Sequence, residues 1–261
     1  LYRLRKMGLS VRLFDDGAGV GGTWHWNRYP GARCDTESLQ YSYQFSEALQ
    51  QEWDWSERYA TQPEILRYAR HVADRFELRP DIQFETRVDS TVWDEDAGLW
   101  RVETGDGAST MARYCIMATG CLSAVNTPEF DGLNDFAGET YHTAHWPDEG
   151  VDFTGKRVAV IGTGSSGVQS IPVIAEQAAS LHVFQRTANY VIPSHNRAME
   201  ADEVAEIKAN YPELRARAKK SFSGNYFPVA GPSALAVSKE ERDREYEARW
   251  AQGGLAFMAA Y

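Results

Sequence analysis

The sequence predicts an α/β fold of two β-α-β-type units with an antiparallel β-meander in the first, and three stretches predict it. Near the start, a helical stripe of Leu1, Leu4 and Met7 gives way at Gly8 to the apolar run Val11-Arg12-Leu13-Phe14, a helix followed by a short strand. From Ile82 to Tyr114, short runs of alternating apolar and polar residues are broken by Gly and Asp clusters, as in a meander. From Lys156 to Ile161 a hydrophobic strand runs into Gly162-Thr163-Gly164-Ser165-Ser166-Gly167 and then into the apolar stretch Val168-Gln169-Ser170-Ile171, which continues as a helix.

Bulk composition narrows the class. With 261 residues, 43% hydrophobic and 12% aromatic, the chain has enough apolar surface for real cores. A net charge of −10 argues against nucleic acid or an anionic membrane as the main partner, since both require clustered Lys and Arg. The three cysteines, Cys34, Cys115 and Cys121, are an odd number without C-x-x-C spacing, which fits a reducing cytoplasm. No stretch approaches the roughly 18 apolar residues of a membrane span, and no charged n-region with an apolar h-region opens the chain.

Taken in order, Gly8 suits the position after a helix, and the strand that follows ends at Asp15. This reads as the second half of a β-α-β unit whose first strand and glycine turn are missing, in a sequence that looks cut at both ends. Residues 17–38 are rich in Gly, Trp, Tyr and Pro without periodicity and are predicted to form a long functional loop. Thr61-Gln62-Pro63-Glu64 resembles a capping box opening an amphipathic helix through about Phe76. The meander turns fall at Glu95-Asp96-Ala97-Gly98 and Gly105-Asp106-Gly107, and Tyr114-Cys115-Ile116-Met117-Ala118 reads as a fully buried strand. A Pro- and Gly-punctuated connector at 122–135 divides the chain into domains 1–123 and 124–261. Helices are expected from Glu203 to Lys220 and from Ser238 to Trp250, and the chain ends without closing a sheet.

Chemistry concentrates at the second glycine cluster. Gly162, Gly164 and Gly167 after a strand and before a helix allow a tight turn and let backbone amides approach a pyrophosphate at the positive helix end. The alternative is an ordinary Gly-rich turn. About twenty residues on, the strand Leu181-His182-Val183-Phe184 ends in Gln185-Arg186-Thr187, where an NAD site would place an acid for the ribose 2′-OH. An Arg there favours a 2′-phosphate, hence NADP, unless it is a solvated surface residue. Asp15 holds the equivalent ribose position in the first unit, or is a turn residue beside Asp16. Both halves thus read as Rossmann-like dinucleotide-binding domains.

Two further stretches are long and specific: Gly21-Gly22-Thr23-Trp24-His25-Trp26-Asn27-Arg28-Tyr29-Pro30-Gly31-Ala32-Arg33-Cys34-Asp35, and Phe136-x-Gly138-x-x-x-His142-x-x-x-Trp146-Pro147. The first resembles the flavin-side loop of the Baeyer–Villiger flavin monooxygenases, and the second resembles that family's fingerprint between its two nucleotide domains. Ala118-Thr119-Gly120 and Val160 to Gln169 are similar as well. The resemblance covers nearly the whole chain and is weakest after about residue 200. N-oxygenating flavoproteins resemble the chain less well after the His.

The resemblance implies an FAD- and NADPH-dependent enzyme that uses O2 to insert oxygen beside a ketone carbonyl, giving an ester or lactone. Carried over by position, Asp15, Thr23, Trp24, Trp26, Asp35, Tyr41 and Val88 would lie against FAD. Arg33, Cys34 and Asp35 would border the nicotinamide end of NADP. Its phosphates would sit on the turn of Gly162, Thr163, Gly164, Ser165, Ser166 and Gly167 with Gln169, and Arg186 and Thr187 would take the 2′-phosphate. Asp35 resembles the carboxylate that orients a catalytic Arg, which in the family lies beyond this stretch. His142 and Trp146 would serve a conformational change, the plain alternative being a cap and a packed ring. Without the first strand and its glycine turn, weak FAD affinity is expected of this stretch alone. Two other readings stay open: an N- or S-oxygenating flavoprotein, and a module that holds NADP without turnover.

Overall fold

The computed structural model describes residues 1–122, 124–221, 224 and 232–261. Helix α1 (Tyr2–Lys6) ends before Gly8, whose φ of +77° is the left-handed conformation that glycine adopts without cost. Strand β1 is shorter than predicted, Leu13–Phe14, and pairs in parallel with β2 (Ile82–Gln83), Leu13 against Ile82. Ile82 therefore does not open the meander. Its apolar pattern suits either sheet, and pairing geometry decides between them. The 17–38 stretch is not wholly irregular, because α2 (Thr23–Trp26) forms inside it, entered through Gly22 with φ +51°.

Helix α3 (Glu47–Glu52) is capped by Ser46, whose hydroxyl accepts from Leu49 N at 3.3 Å. Helix α4 (Gln62–Arg75) forms as the amphipathic pattern requires. Glu64 does not close a capping box, since its carboxylate accepts from Ser56 N at 2.9 Å and Ser56 Oγ at 2.7 Å. Ile65, Leu66, Tyr68, Val72 and Ala73 are its buried face. At about 1.5–3 kcal/mol for each large apolar side chain, that stripe outweighs the helix's own propensity.

The meander is β3 (Val88–Asp94), β4 (Leu99–Thr104) and β5 (Ser109–Ala112), antiparallel in that order. Its turns fall where predicted: Gly98 and Gly107 have φ of +62° and +83°, and Trp93 faces Trp100 across the first hairpin. The next expectation fails. Tyr114 to Ala118 forms no strand, and Tyr114, Ile116 and Met117 are 66%, 67% and 66% exposed. An apolar run becomes a buried strand only when neighbours pair with its edges, and among the described residues none does.

Strand β6 (Arg157–Ile161), helix α5 (Ser165–Ala175) and strand β7 (Ser180–Phe184) form a β-α-β unit, with the strands parallel from Arg157↔Ser180 to Ile161↔Phe184. The helix expected from Glu203 to Lys220 is two, α6 (Ala201–Ala209) and α7 (Tyr211–Ala218). Pro212 in the first turn of α7 supplies no N–H to continue α6, so the ladder breaks at Asn210. Helices α8 (Lys239–Gln252), capped by Ser238, and α9 (Leu255–Met258) complete the elements.

Packing gathers Leu1–Tyr29 with Ile65–Val151 into one compact unit, and Pro30–Glu64 with Asp152–Tyr261 into another. This division cuts the 17–38 stretch after Tyr29. It differs from the nucleotide-by-nucleotide reading of 1–123 and 124–261, whose boundary residue Ser123 lies outside the described residues. In the second unit Arg215 is buried yet satisfied: its guanidinium donates to Gln40 O at 2.7 Å, Leu39 O at 2.9 Å and Ser42 Oγ at 2.6 Å. Among the described residues no helix is long and apolar enough to cross a membrane.

Candidate functional site

In the second unit, each glycine of the turn after β6 has its own reason. Gly162 has φ +103°, a Cβ on Gly164 would meet nothing within 4 Å, and a Cβ on Gly167 would stand 2.5 Å from Gly162 O. The first makes the turn, the second keeps the approach to the helix end open, and the third lets helix and strand close up. The first intrahelical bond runs from Val168 N to Gly164 O at 2.9 Å, so the amides of Ser165, Ser166 and Gly167 point outward as donors.

Thr163 is fixed by two residues that sequence reasoning passed over. Gln185 Nε2 donates to Thr163 Oγ1 at 2.6 Å, and Asn189 Nδ2 to Thr163 O at 2.9 Å. The signal was available, since both lie just past β7, where a dinucleotide fold turns back on its glycine loop. Arg186 and Thr187 lie exposed at the same strand end, and among the described residues Arg186 makes no ion pair. An open turn, three outward amides and an uncommitted guanidinium fit a phosphorylated dinucleotide.

The segment from Arg33 to Asp35 is attached to this motif. Gln169, one turn into α5, donates from Nε2 to Asp35 Oδ1 at 2.9 Å and to Arg33 O at 3.1 Å, while its Oε1 accepts from Arg33 N at 3.3 Å. Gly31 permits this, because a Cβ there would lie 2.2 Å from Gln169 O. Asp35 and Tyr41 are exposed, and Cys34 is buried. Burial pushes the Cys34 thiol above its ordinary value, which disfavours the reactive thiolate.

In the first unit, Asp15 Oδ1 accepts from Gly17 N at 2.8 Å, an Asx turn in which Oδ2 makes no hydrogen bond among the described residues. Thr23 and Trp26 are exposed, Trp24 is half-buried, and Val88 is 37% exposed at the start of β3. The residue between the tryptophans, His25, was not predicted. It is 8% exposed, its Nδ1 has no hydrogen-bond partner among the described residues, and its pKa lies below 6.5, first through burial and then through Arg28. Gly17 packs against this ring, where a Cβ would come within 3.3 Å of it. A buried ring nitrogen without a partner, facing a glycine loop, is what a bound polar group would satisfy.

The fingerprint also lies in the first unit. A Cβ on Gly138 would stand 2.6 Å from the Phe136 ring, which explains the F-x-G spacing. His142 caps a short turn by accepting from Ala144 N at 3.2 Å, and Trp146 packs its ring 5.6 Å from that of Tyr141. Pro147 O accepts from Gly150 N at 3.1 Å, and next to Pro147, Asp148 pairs with Arg28 of the glycine- and tryptophan-rich loop.

The pattern of one protein family, described as pyridine nucleotide-disulphide oxidoreductase, matches residues 35–235. The chain belongs to that family. Among its relatives, a Baeyer-Villiger monooxygenase of Pseudooceanicola batsensis is 46% identical over 258 residues, 97% of this chain and 47% of that protein. A phenazine N-monooxygenase of Lysobacter antibioticus is 44% identical over 260 residues, 99% of this chain and 48% of that protein. A solved structure of an oxidised steroid monooxygenase bound to NADP superposes with a TM-score of 0.96 at 58% identity, covering all of this chain and 50% of that one. The chain thus spans about half the length of the relatives it matches. Despite the family's disulphide label, Cys34, Cys115 and Cys121 are all free.

Proposed function

We propose that the chain carries the nucleotide-binding part of an FAD- and NADPH-dependent monooxygenase that converts a ketone, O2, NADPH and a proton into an ester or lactone, water and NADP+. The observation that carries this reading is the glycine turn with Arg186 at its strand end, in a chain 58% identical to a steroid monooxygenase bound to NADP. The chain is read as two Rossmann-like dinucleotide-binding domains, residues 1–123 for FAD and 124–261 for NADP.

When bound, FAD supplies the oxygen activation and NADPH the electrons. The work of this chain is placement. Asp15 offers Oδ2 to a ribose hydroxyl, and Thr23, Trp24, Trp26 and Val88 give the flavin polar and apolar contacts. Amides from Gly164 to Gly167 hold the dinucleotide phosphates, with Thr163 and Gln169 framing them, and Arg186 and Thr187 take the 2′-phosphate. Asp35, steadied by the Gln169 carboxamide, keeps Oδ2 for a cation, and an Arg so oriented would stabilise negative charge developing on the substrate. His142 and Trp146 are assigned to a change of conformation around the fingerprint. Three free thiols favour a reducing compartment, the cytoplasm.

The 44% identity to a phenazine N-monooxygenase supports a second reading, oxygen transfer to a ring nitrogen. One experiment separates the two. The purified full-length protein is scanned for bound flavin, and NADPH oxidation is followed under air with cyclic and aryl ketones and with phenazines. Ketone-dependent oxidation with an ester product supports the first reading, N-oxide formation supports the second, and flavin-free protein without turnover removes both.

A further inference from the structure

Arg33 is set in the molecule by two separate devices. Its backbone is fastened to α5 through Gln169, with N to Oε1 at 3.3 Å and O to Nε2 at 3.1 Å. Its side chain is held by other partners: Nη1 donates to Glu57 Oε2 at 3.2 Å and reaches Tyr59 O at 3.5 Å. Glu57 is itself fixed. Asn196 Nδ2 donates to the same Oε2, and Asn196 Oδ1 accepts from Tyr59 N at 2.9 Å. The residue before it, His195, has φ +47°, a conformation that costs a non-glycine residue about 1–2 kcal/mol. That strained step comes immediately before the carboxamide that bridges Glu57 and Tyr59.

Only one nitrogen of the Arg33 guanidinium is occupied this way. Nε and Nη2 make no hydrogen bond among the described residues, and the side chain keeps 31% of its surface exposed. A carboxylate that takes a single corner of a planar fork fixes the plane and leaves the other edge as a pair of parallel donors. We propose that Glu57, held by Asn196, is the positioning residue for Arg33, and that it aims the free Nε–Nη2 edge at oxygen acceptors on the nicotinamide-nucleotide half of NADP. This rests on the NADP reading above and adds to it a named support for one of its contacts.

The test is a double-mutant cycle in the full-length enzyme, reading the KM for NADPH and kcat, with flavin content and melting temperature as controls. Weakening a charge-assisted bond to a neutral one in Glu57→Gln should raise the NADPH KM about threefold to tenfold, by more than any fall in kcat. Arg33→Ala should raise it further, and Glu57→Gln added to Arg33→Ala should change nothing more. A Glu57→Gln effect of equal size with Arg33 present or absent overturns the proposal, because Glu57 would then act as a structural tie. So does an unchanged KM in Glu57→Gln or in Arg33→Ala. Should Glu57→Gln fail to fold, Asn196→Ser takes its place in the same cycle with the same criteria. Arg186→Ala in the same assay separates the two levels: if its KM rises while Arg33→Ala is silent, the NADP reading stands and the Arg33 placement is lost.

Discussion

The Gln169 side chain donates to Asp35 Oδ1 at 2.9 Å from a helix that begins at the glycine turn. One carboxamide thereby joins the helix proposed to hold the dinucleotide phosphates to the carboxylate proposed for catalysis. Replacing it by the near-isosteric Met in Gln169→Met removes two half-buried hydrogen bonds and an exposed one to a charge, and should cost about 1–3 kcal/mol. Gln169→Glu should be worse, since it sets a second negative charge against Asp35. Urea unfolding and turnover of the two variants check the ranking, and a Glu variant equal to the Met variant would remove the electrostatic part of the argument.

Gly31 is predicted to be the least replaceable glycine near this helix. Its φ is +77° and a Cβ would sit 2.2 Å from Gln169 O, whereas Gly155, at φ +71°, has nothing within 4 Å. Gly155→Ala should therefore cost only the left-handed penalty of about 1–2 kcal/mol. Gly31→Ala must also displace backbone and should exceed that cost, with loss of NADPH turnover. Melting temperatures of the two variants side by side test the contrast.

Arg186 stands exposed at the end of β7 with no ion pair among the described residues. A charge-assisted contact to a 2′-phosphate contributes about 1.5–3 kcal/mol, so Arg186→Ala should raise the NADPH KM about tenfold to a hundredfold. NADH lacks the phosphate and should be used as well as before. Equal losses with both cofactors would place Arg186 elsewhere than on the 2′-phosphate.

The parts of this molecule legible from sequence are those whose cause is local. Gly162 and Gly167 announce a turn because each meets its constraint within six residues, and Gly98 and Gly107 mark hairpins for the same reason. Alternation cannot say which strand lies alongside which, so Ile82 was assigned to the meander although it pairs with Leu13. Nor can an apolar run reveal whether anything covers it, and Tyr114 to Ala118 was misread on that ground. Within the site, Gly-rich and charged residues were visible. The place of Gln185 and Asn189 past β7 is visible too, but what they and His25 touch is not: a carboxamide reaching Thr163, another reaching its carbonyl, and an imidazole buried against glycines.

His25 should make stability depend on pH in a defined window. Burial, and next the Arg28 charge, hold its folded-state pKa below 6.5, while Asp15 and Asp148 oppose the shift only in part. Between the lowered value and 6.5 the unfolded chain binds the proton and the folded chain does not, so stability rises with pH in that interval. Above 6.5 both states are neutral and the contribution is fully present. As pH falls from 6.5 towards the folded value it is lost, and below that value no more is lost. The melting temperature should therefore drop more steeply between about pH 7 and pH 5 in the wild type than in His25→Gln, which cannot titrate. Carboxylates titrating in the same range are common to both proteins and cancel in the comparison. Parallel curves would mean that His25 opens to water before it protonates, and that its ring is not sealed against Gly17 in solution.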